Sequence, residues 1–141
     1  GLAPRYRCDA LISNYEEVGH GAATGIPGDV TELVTVDMAA AGEAQNSDEF
    51  SVGICAKDSG GPYHLGLWRR LEQIAIDYGI PYRTDIYPYY GSDGESTWRA
   101  GGDLAVALIG PGVDASHSYE RTHTESLEAT IKLLVAYLLS A

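Results

Sequence analysis

A layered α/β domain is the architecture this sequence predicts. Three observations predict it: short apolar runs rich in β-branched residues, amphipathic helical patterns between them, and a length of 141 residues that suits one core. The runs CDALIS, ELVTVDM, FSVGICA and DLAVALIG are each bounded by polar or glycine residues and have the length of buried strands. A fifth, YRTDIYPYY, alternates less cleanly, and Pro88 ends it or puts it at an edge. Leu65, Leu67, Trp68, Leu71, Ile74, Ala75 and Tyr78 recur at spacings of three and four, which predicts a helix over 62–78, with Gly79 as its stop and Pro81 beyond. Residues 124–139 repeat the pattern through Leu127, Ile131, Leu134, Val135 and Leu138 behind an N-cap at Thr124. The glycines and prolines are spread as punctuation, and no linker or repeat of solenoid length divides the chain, so 1–141 reads as a single unit. Cys8 and Cys55 lie in apolar strand segments and form no CxxC pair, so both are expected to be buried free thiols.

Nine Lys and Arg oppose twenty Asp and Glu, for a formal net charge of −11. A phosphate backbone or an anionic lipid surface is repelled by such a chain on average, so neither nucleic acid nor membrane is an expected partner. No apolar run approaches the roughly 20 residues that span a bilayer. The opening GLAPRYRCD lacks the apolar stretch of a signal peptide, and the chain is expected to be soluble and cytoplasmic.

Four places carry residue types suited to chemistry. Glu16 and Glu17 follow the first apolar run, and adjacent residues point in different directions, so one carboxylate can bind a cation while the other handles protons. The same pair also reads as the solvated start of a short helix. Asp37 ends the run ELVTV, where an acid needs a hydrogen bond, an ion partner or a metal; a cap or Asx-turn is the plain alternative. His117 lies in a Gly/Pro-broken loop after the strand DLAVALIG, as a metal-binding imidazole or a surface histidine. His123, six residues on, does not share a helical face with it. The segment GSDGESTWRAGG misses the dinucleotide-binding spacing and reads as a pocket loop, in which Asp93 and Glu95 either meet a substrate amine or form a solvated turn.

Taken together, these segments resemble the late part of the catalytic domain of the TET or deblocking aminopeptidases, metallopeptidase family forty-two, which includes glutamyl aminopeptidases and cellulase M-like proteins. YEEVGHGA is similar to the family's EEVG element, and VTVDMA to its ligand-bearing aspartate strand. YGSDGESTWRAGG resembles its pocket loop and IGPGVDASHSYERTH its final histidine loop, in the same order. The resemblance implies a three-layer zinc-exopeptidase-like fold whose mixed, mainly parallel sheet is flanked by helices. It implies Glu16 as general base, Glu17, Asp37 and His117 as metal ligands, and Asp93, Gly94, Tyr119 and Arg121 at the substrate pocket. Arg121 reads equally as one half of a surface ion pair. Asp58 is implied as a neighbouring structural or pocket position. The implied cofactors are two divalent ions, zinc first, with cobalt or manganese admitted by the same ligands. The implied reaction is removal of an N-terminal residue from a peptide by an activated water.

Family members are more than twice this length. An upstream histidine, a bridging aspartate and an inserted assembly domain have no counterpart here, so the chain is expected to be a C-terminal piece of the catalytic domain, inactive alone and holding at most one metal weakly. Its expected partners are a peptide substrate, the remainder of its own catalytic domain and, when intact, further copies of itself. Two alternatives stay open. One is a related dinuclear exopeptidase or deacylase, carboxypeptidase-like in its reaction. The other is a noncatalytic interaction or assembly module.

Overall fold

A computed structural model describes residues 3–140. After a 3₁₀ turn at Glu16–Val18, the elements are β1 (Glu32–Val36), β2 (Ala39–Ala40), β3 (Val52–Asp58), β4 (Gly61–Pro62), α1 (Leu65–Asp77), β5 (Tyr82–Tyr87), α2 (Asp93–Arg99), β6 (Ala105–Val113) and α3 (Thr124–Ser140).

β6 is the hub of a mixed sheet. β1 runs parallel along one of its edges, from Glu32 opposite Ala105 to Val36 opposite Ile109, and β2 continues the same line against Gly112 and Val113. β3 runs antiparallel on the other edge, Val52 opposite Pro111. β3 then pairs in parallel with β5 through the α1 crossover, while β4 pairs with its last two residues. The ladder between the first line and β6 lapses at Asp37 and Met38, which stand opposite Gly110 and Pro111. Proline has no N–H to donate.

The pleat sends alternate β6 residues to opposite faces. Even-numbered positions meet α2 and the loops: Val106 lies under Gly94, Gly110 under the Asp37 backbone and Gly112 under the Asp48 backbone. The other face is covered by α1 and α3, which pack on each other and on β3 and β6. Val52, Ile54, Leu71, Val106, Ile109 and Leu133 are the fully buried centre. α1 fits its sequence pattern. The His64 ring accepts from the Leu67 N–H at its start, and at its end Gly79, at φ +63°, lets the Ile80 N–H reach the Ala75 carbonyl at 2.8 Å.

Four expectations are corrected. The run CDALIS forms no strand: Leu11 and Ile12 are exposed, and no neighbouring strand is present among the described residues to take its hydrogen bonds. Cys8 is consequently exposed, whereas Cys55 on β3 is buried, and burial pushes its thiol up to about 12. The segment GSDGESTWRAGG is no simple loop, because Ser92 caps α2 within it. α3 turns its smaller residues inward. Ser126, Ala129, Thr130 and Leu133 are buried, while Leu127, Ile131 and Val135 of the expected apolar face point to solvent. The cause is close approach: the Ser126 hydroxyl donates to the Ser51 carbonyl at 2.6 Å and accepts from the Gly112 N–H at 2.7 Å, which larger side chains on that face would prevent.

Candidate functional site

Each candidate residue is placed by a local feature of the chain. Glu16 and Glu17 occupy the 3₁₀ turn, entered through Tyr15 at φ +64° and left through Gly19 at φ +76°. Asp37 follows β1; its N–H still reaches the Ile109 carbonyl at 3.0 Å, and its Oδ1 accepts from the Met38 N–H at 2.7 Å. The Asp37 carbonyl lies so close over Gly110 that a Cβ there would stand 1.3 Å from it. His117 sits in the loop after β6 at φ +64°, a region non-glycine residues seldom adopt, with its N–H donating to Glu120 Oε1 at 2.9 Å. Tyr15 and His117 thus place left-handed backbone beside the glutamate pair and at the histidine itself. Strained backbone of this kind collects at functional sites.

These groups share one electrostatic neighbourhood over the α2-bearing face of the sheet. Burial raises the Glu16 carboxyl above its ordinary value, and the negative charges of Asp37, Asp93 and Glu17 raise it further against the pull of His117. Burial likewise raises Asp37. The Met38 N–H and His117 oppose the rise, and Asp93 and Glu17 add to it. His117 Nε2 and Glu17 Oε2 lie 3.6 Å apart. The Tyr90 ring meets the His117 ring edge-on at 6.1 Å.

Asp93, the first residue of α2, accepts from the Ser13 hydroxyl through Oδ2 and packs against Gly21, where a Cβ would stand 1.9 Å from Oδ1. That Oδ1 is buried and has no hydrogen-bond partner. A buried acceptor without a protein donor is one that a water molecule or a cation would satisfy. Among the described residues, no three His, Cys, Asp or Glu side chains stand close enough together to form a closed metal site. The donor types, carboxylate oxygens and one imidazole, nevertheless suit a divalent cation, and Glu17 with His117 offers the first two.

Gly94, Tyr119 and Arg121, the other expected pocket residues, have surroundings of their own. Gly94 is buried, and a Cβ there would lie 2.6 Å from Val106, so its small size serves the packing of α2 on the sheet. Tyr119 is 94% exposed. Arg121 holds Glu49 through two bonds of 2.6 and 2.8 Å and reaches Asp114 at 3.2 Å, which fastens the histidine loop. Sequence reasoning missed Ser13 and Tyr90 as neighbours of the site. It also missed α2, although Ser92-x-x-Glu95 is the spacing of a capping box.

The profile of the M42 glutamyl aminopeptidases matches residues 3–133. YhfE of Bacillus subtilis (strain 168), which carries a provisional aminopeptidase name, is 50% identical over 135 residues, and the aligned part is 96% of this chain and 39% of YhfE. Among solved structures, the dodecamer PhTET1-12s superposes with a TM-score of 0.78 at 22% identity, over 92% of this chain and 40% of that one. The aminopeptidase APDkam598 from the archaeon Desulfurococcus kamchatkensis gives 0.74 at 21% identity, over 87% and 38%. The chain therefore spans about two-fifths of the length of the relatives it matches.

Proposed function

The chain belongs to the M42 glutamyl aminopeptidase family, and from that premise we propose that it carries part of the active site of a metal-dependent aminopeptidase that removes N-terminal residues from peptides. The observation that supports this best is the gathering of Glu16, Glu17, Asp37, Asp93 and His117 into one field in which two carboxyls are raised by burial and mutual repulsion. Such a field favours bound positive charge.

In this reading Glu17, Asp37 and His117 hold divalent metal, with zinc, cobalt and manganese all compatible with oxygen and imidazole donors. When bound, the metal supplies charge stabilisation at the scissile carbonyl and lowers the pKa of the attacking water. Glu16 accepts the proton of that water on its carboxylate and returns it to the nitrogen of the leaving peptide. Its raised proton affinity suits both transfers. Asp93 adds its negative charge to the field that attracts the α-ammonium of the substrate. His117 is held ready by its own backbone bond to Glu120 and by the edge of Tyr90. The intact protein assembles with copies of itself, by analogy with the dodecamer described for PhTET1-12s.

The test uses the full-length protein. Glu16→Gln is expected to keep its metal content and lose about 10²- to 10⁴-fold in turnover of an aminoacyl anilide. His117→Ala is expected to lose metal, read by elemental analysis. Undiminished turnover in Glu16→Gln removes that residue from the base role, and unchanged metal content in His117→Ala removes the imidazole from the ligand set.

A further inference from the structure

We propose that Ser96 and Thr97 are positioning residues for Glu16: their hydroxyls, on the α2 face that carries Asp93, hold the far end of the glutamate turn against the helix and so fix where the Glu16 carboxylate stands. The proposal rests on the reading of Glu16 as the general base. Its basis is the way the segment 13–22 is fastened. The regular structure in that segment is one three-residue 3₁₀ turn, Glu16–Val18, closed by the Gly19 N–H on the Glu16 carbonyl at 2.8 Å. A single short turn does not hold its own place. Tyr15 at φ +64° and Ala22 at φ +53° are also left-handed, and such backbone persists only where its surroundings over-determine it.

Those surroundings are α2. Asp93, Ser96 and Thr97 stand at positions i, i+3 and i+4 of the helix and share one face. Asp93 accepts from the Ser13 hydroxyl, Ser96 Oγ donates to the Gly19 carbonyl at 3.0 Å, and Thr97 Oγ1 donates to the Ala22 carbonyl at 2.9 Å. Thr97 Oγ1 also lies 3.1 Å from the Asp93 carbonyl, but a hydroxyl has one hydrogen, and the Ala22 carbonyl has no other donor among the described residues. Ala22 is buried, so that carbonyl needs one. Gly21, between the two held carbonyls, comes so close to the helix that a Cβ there would meet the Asp93 carboxylate. The helix is fixed in turn on the sheet, where Gly94 lies over Val106. Among the described residues, the other polar contact that ties 13–22 to the fold is that of Glu17 with His117. The place of Glu16 in the field of Asp37 and His117 is therefore set from behind, by two hydroxyls that touch no reacting group. A base must stand within hydrogen-bond reach of the proton it takes, and a misplacement of about 1 Å can cost about a hundredfold in rate.

The experiment uses the full-length protein at saturating zinc. Thr97→Val keeps the shape and removes the hydroxyl, Thr97→Ser keeps the hydroxyl, and Ser96→Ala removes the other bond. Hydrogen exchange read by mass spectrometry follows the backbone of residues 14–23, and hydrolysis of an aminoacyl anilide follows Glu16. With Thr97→Val and Ser96→Ala combined, exchange in that segment is expected to be about tenfold faster with β6 unchanged, and kcat to fall about ten- to a hundredfold with KM nearly constant. Thr97→Ser should keep the wild-type exchange and kcat. Wild-type exchange at 14–23 in the combined variant, an unaltered kcat, or a loss in Thr97→Ser equal to that in Thr97→Val overturns the positioning role. If the combined variant does not fold, Ser96→Ala alone replaces it: Ser96→Thr should restore what the alanine loses, and failure to do so overturns the proposal. A wild type that cleaves no N-terminal residue, or whose turnover survives Glu16→Gln, overturns the reading of Glu16 as base. That failure is distinct, because exchange at 14–23 is measured without substrate and reports on the two hydroxyls directly.

Discussion

Asp37 shows how one residue sets stability against chemistry. Its folded pKa is raised, by burial first and then by Asp93 and Glu17, so the folded chain binds protons more tightly than the unfolded one. The stabilising contribution of the protonated form is fully present below the unfolded pKa and is lost as pH rises through the raised folded value. Without metal, Asp37→Asn is therefore expected to raise Tm at neutral pH, and the gain should vanish in acid below the unfolded carboxyl range. A Tm difference that stays constant across that range would mean that the asparagine acts by packing alone. Bound cations neutralise the repulsion, so metal should diminish the difference.

At the scale of elements, two close approaches decide where the functional segments lie. Gly110→Ala would put a Cβ 1.3 Å from the Asp37 carbonyl, so β6 and the end of β1 must separate. A loss of about 1–3 kcal/mol in urea unfolding is expected, together with lower metal content because the Asp37 side chain moves with its backbone. Wild-type stability in that variant would show that the approach is not obligatory. Ser126→Ala removes the hydroxyl that joins the Ser51 carbonyl to the Gly112 N–H and strands both buried groups. It should also cost about 1–3 kcal/mol, but leave metal content unchanged. The pair separates a contact that shapes the site from one that only docks α3. The capping serine of α2 belongs to the first kind, since the turn it starts carries Asp93.

At the scale of the whole molecule, an apolar stripe is left uncovered. Leu127, Ile131 and Val135 recur every four residues along α3 and are 43%, 62% and 48% exposed. Contiguous apolar surface of this kind is a site of association. The 141-residue chain is expected to self-associate in sedimentation, and Ile131→Glu with Val135→Glu should shift it to monomer without lowering Tm. A monomeric wild type at high concentration would show that the stripe is tolerated in water.

The alternation of short strands with amphipathic helices, the stop at Gly79 and the chemical identity of Glu16, Glu17, Asp37 and His117 are written in the sequence. They depend on local spacing and on residue types that have few inexpensive uses. Periodicity marked an apolar face on α3 but could not say which face docks, because that turned on Ser126 meeting the Ser51 carbonyl just before β3 and the Gly112 N–H of β6. The apolar run at 8–13 was legible as burial-competent, yet a strand needs a neighbour to hydrogen-bond, and none is present among the described residues. Only the tertiary structure joined Asp58, Tyr63 and Ser92 through buried hydrogen bonds, brought Tyr90 to His117, and turned Arg121 toward Glu49. Local sequence fixes what a segment can do, whereas long-range packing decides which buried donor faces which acceptor.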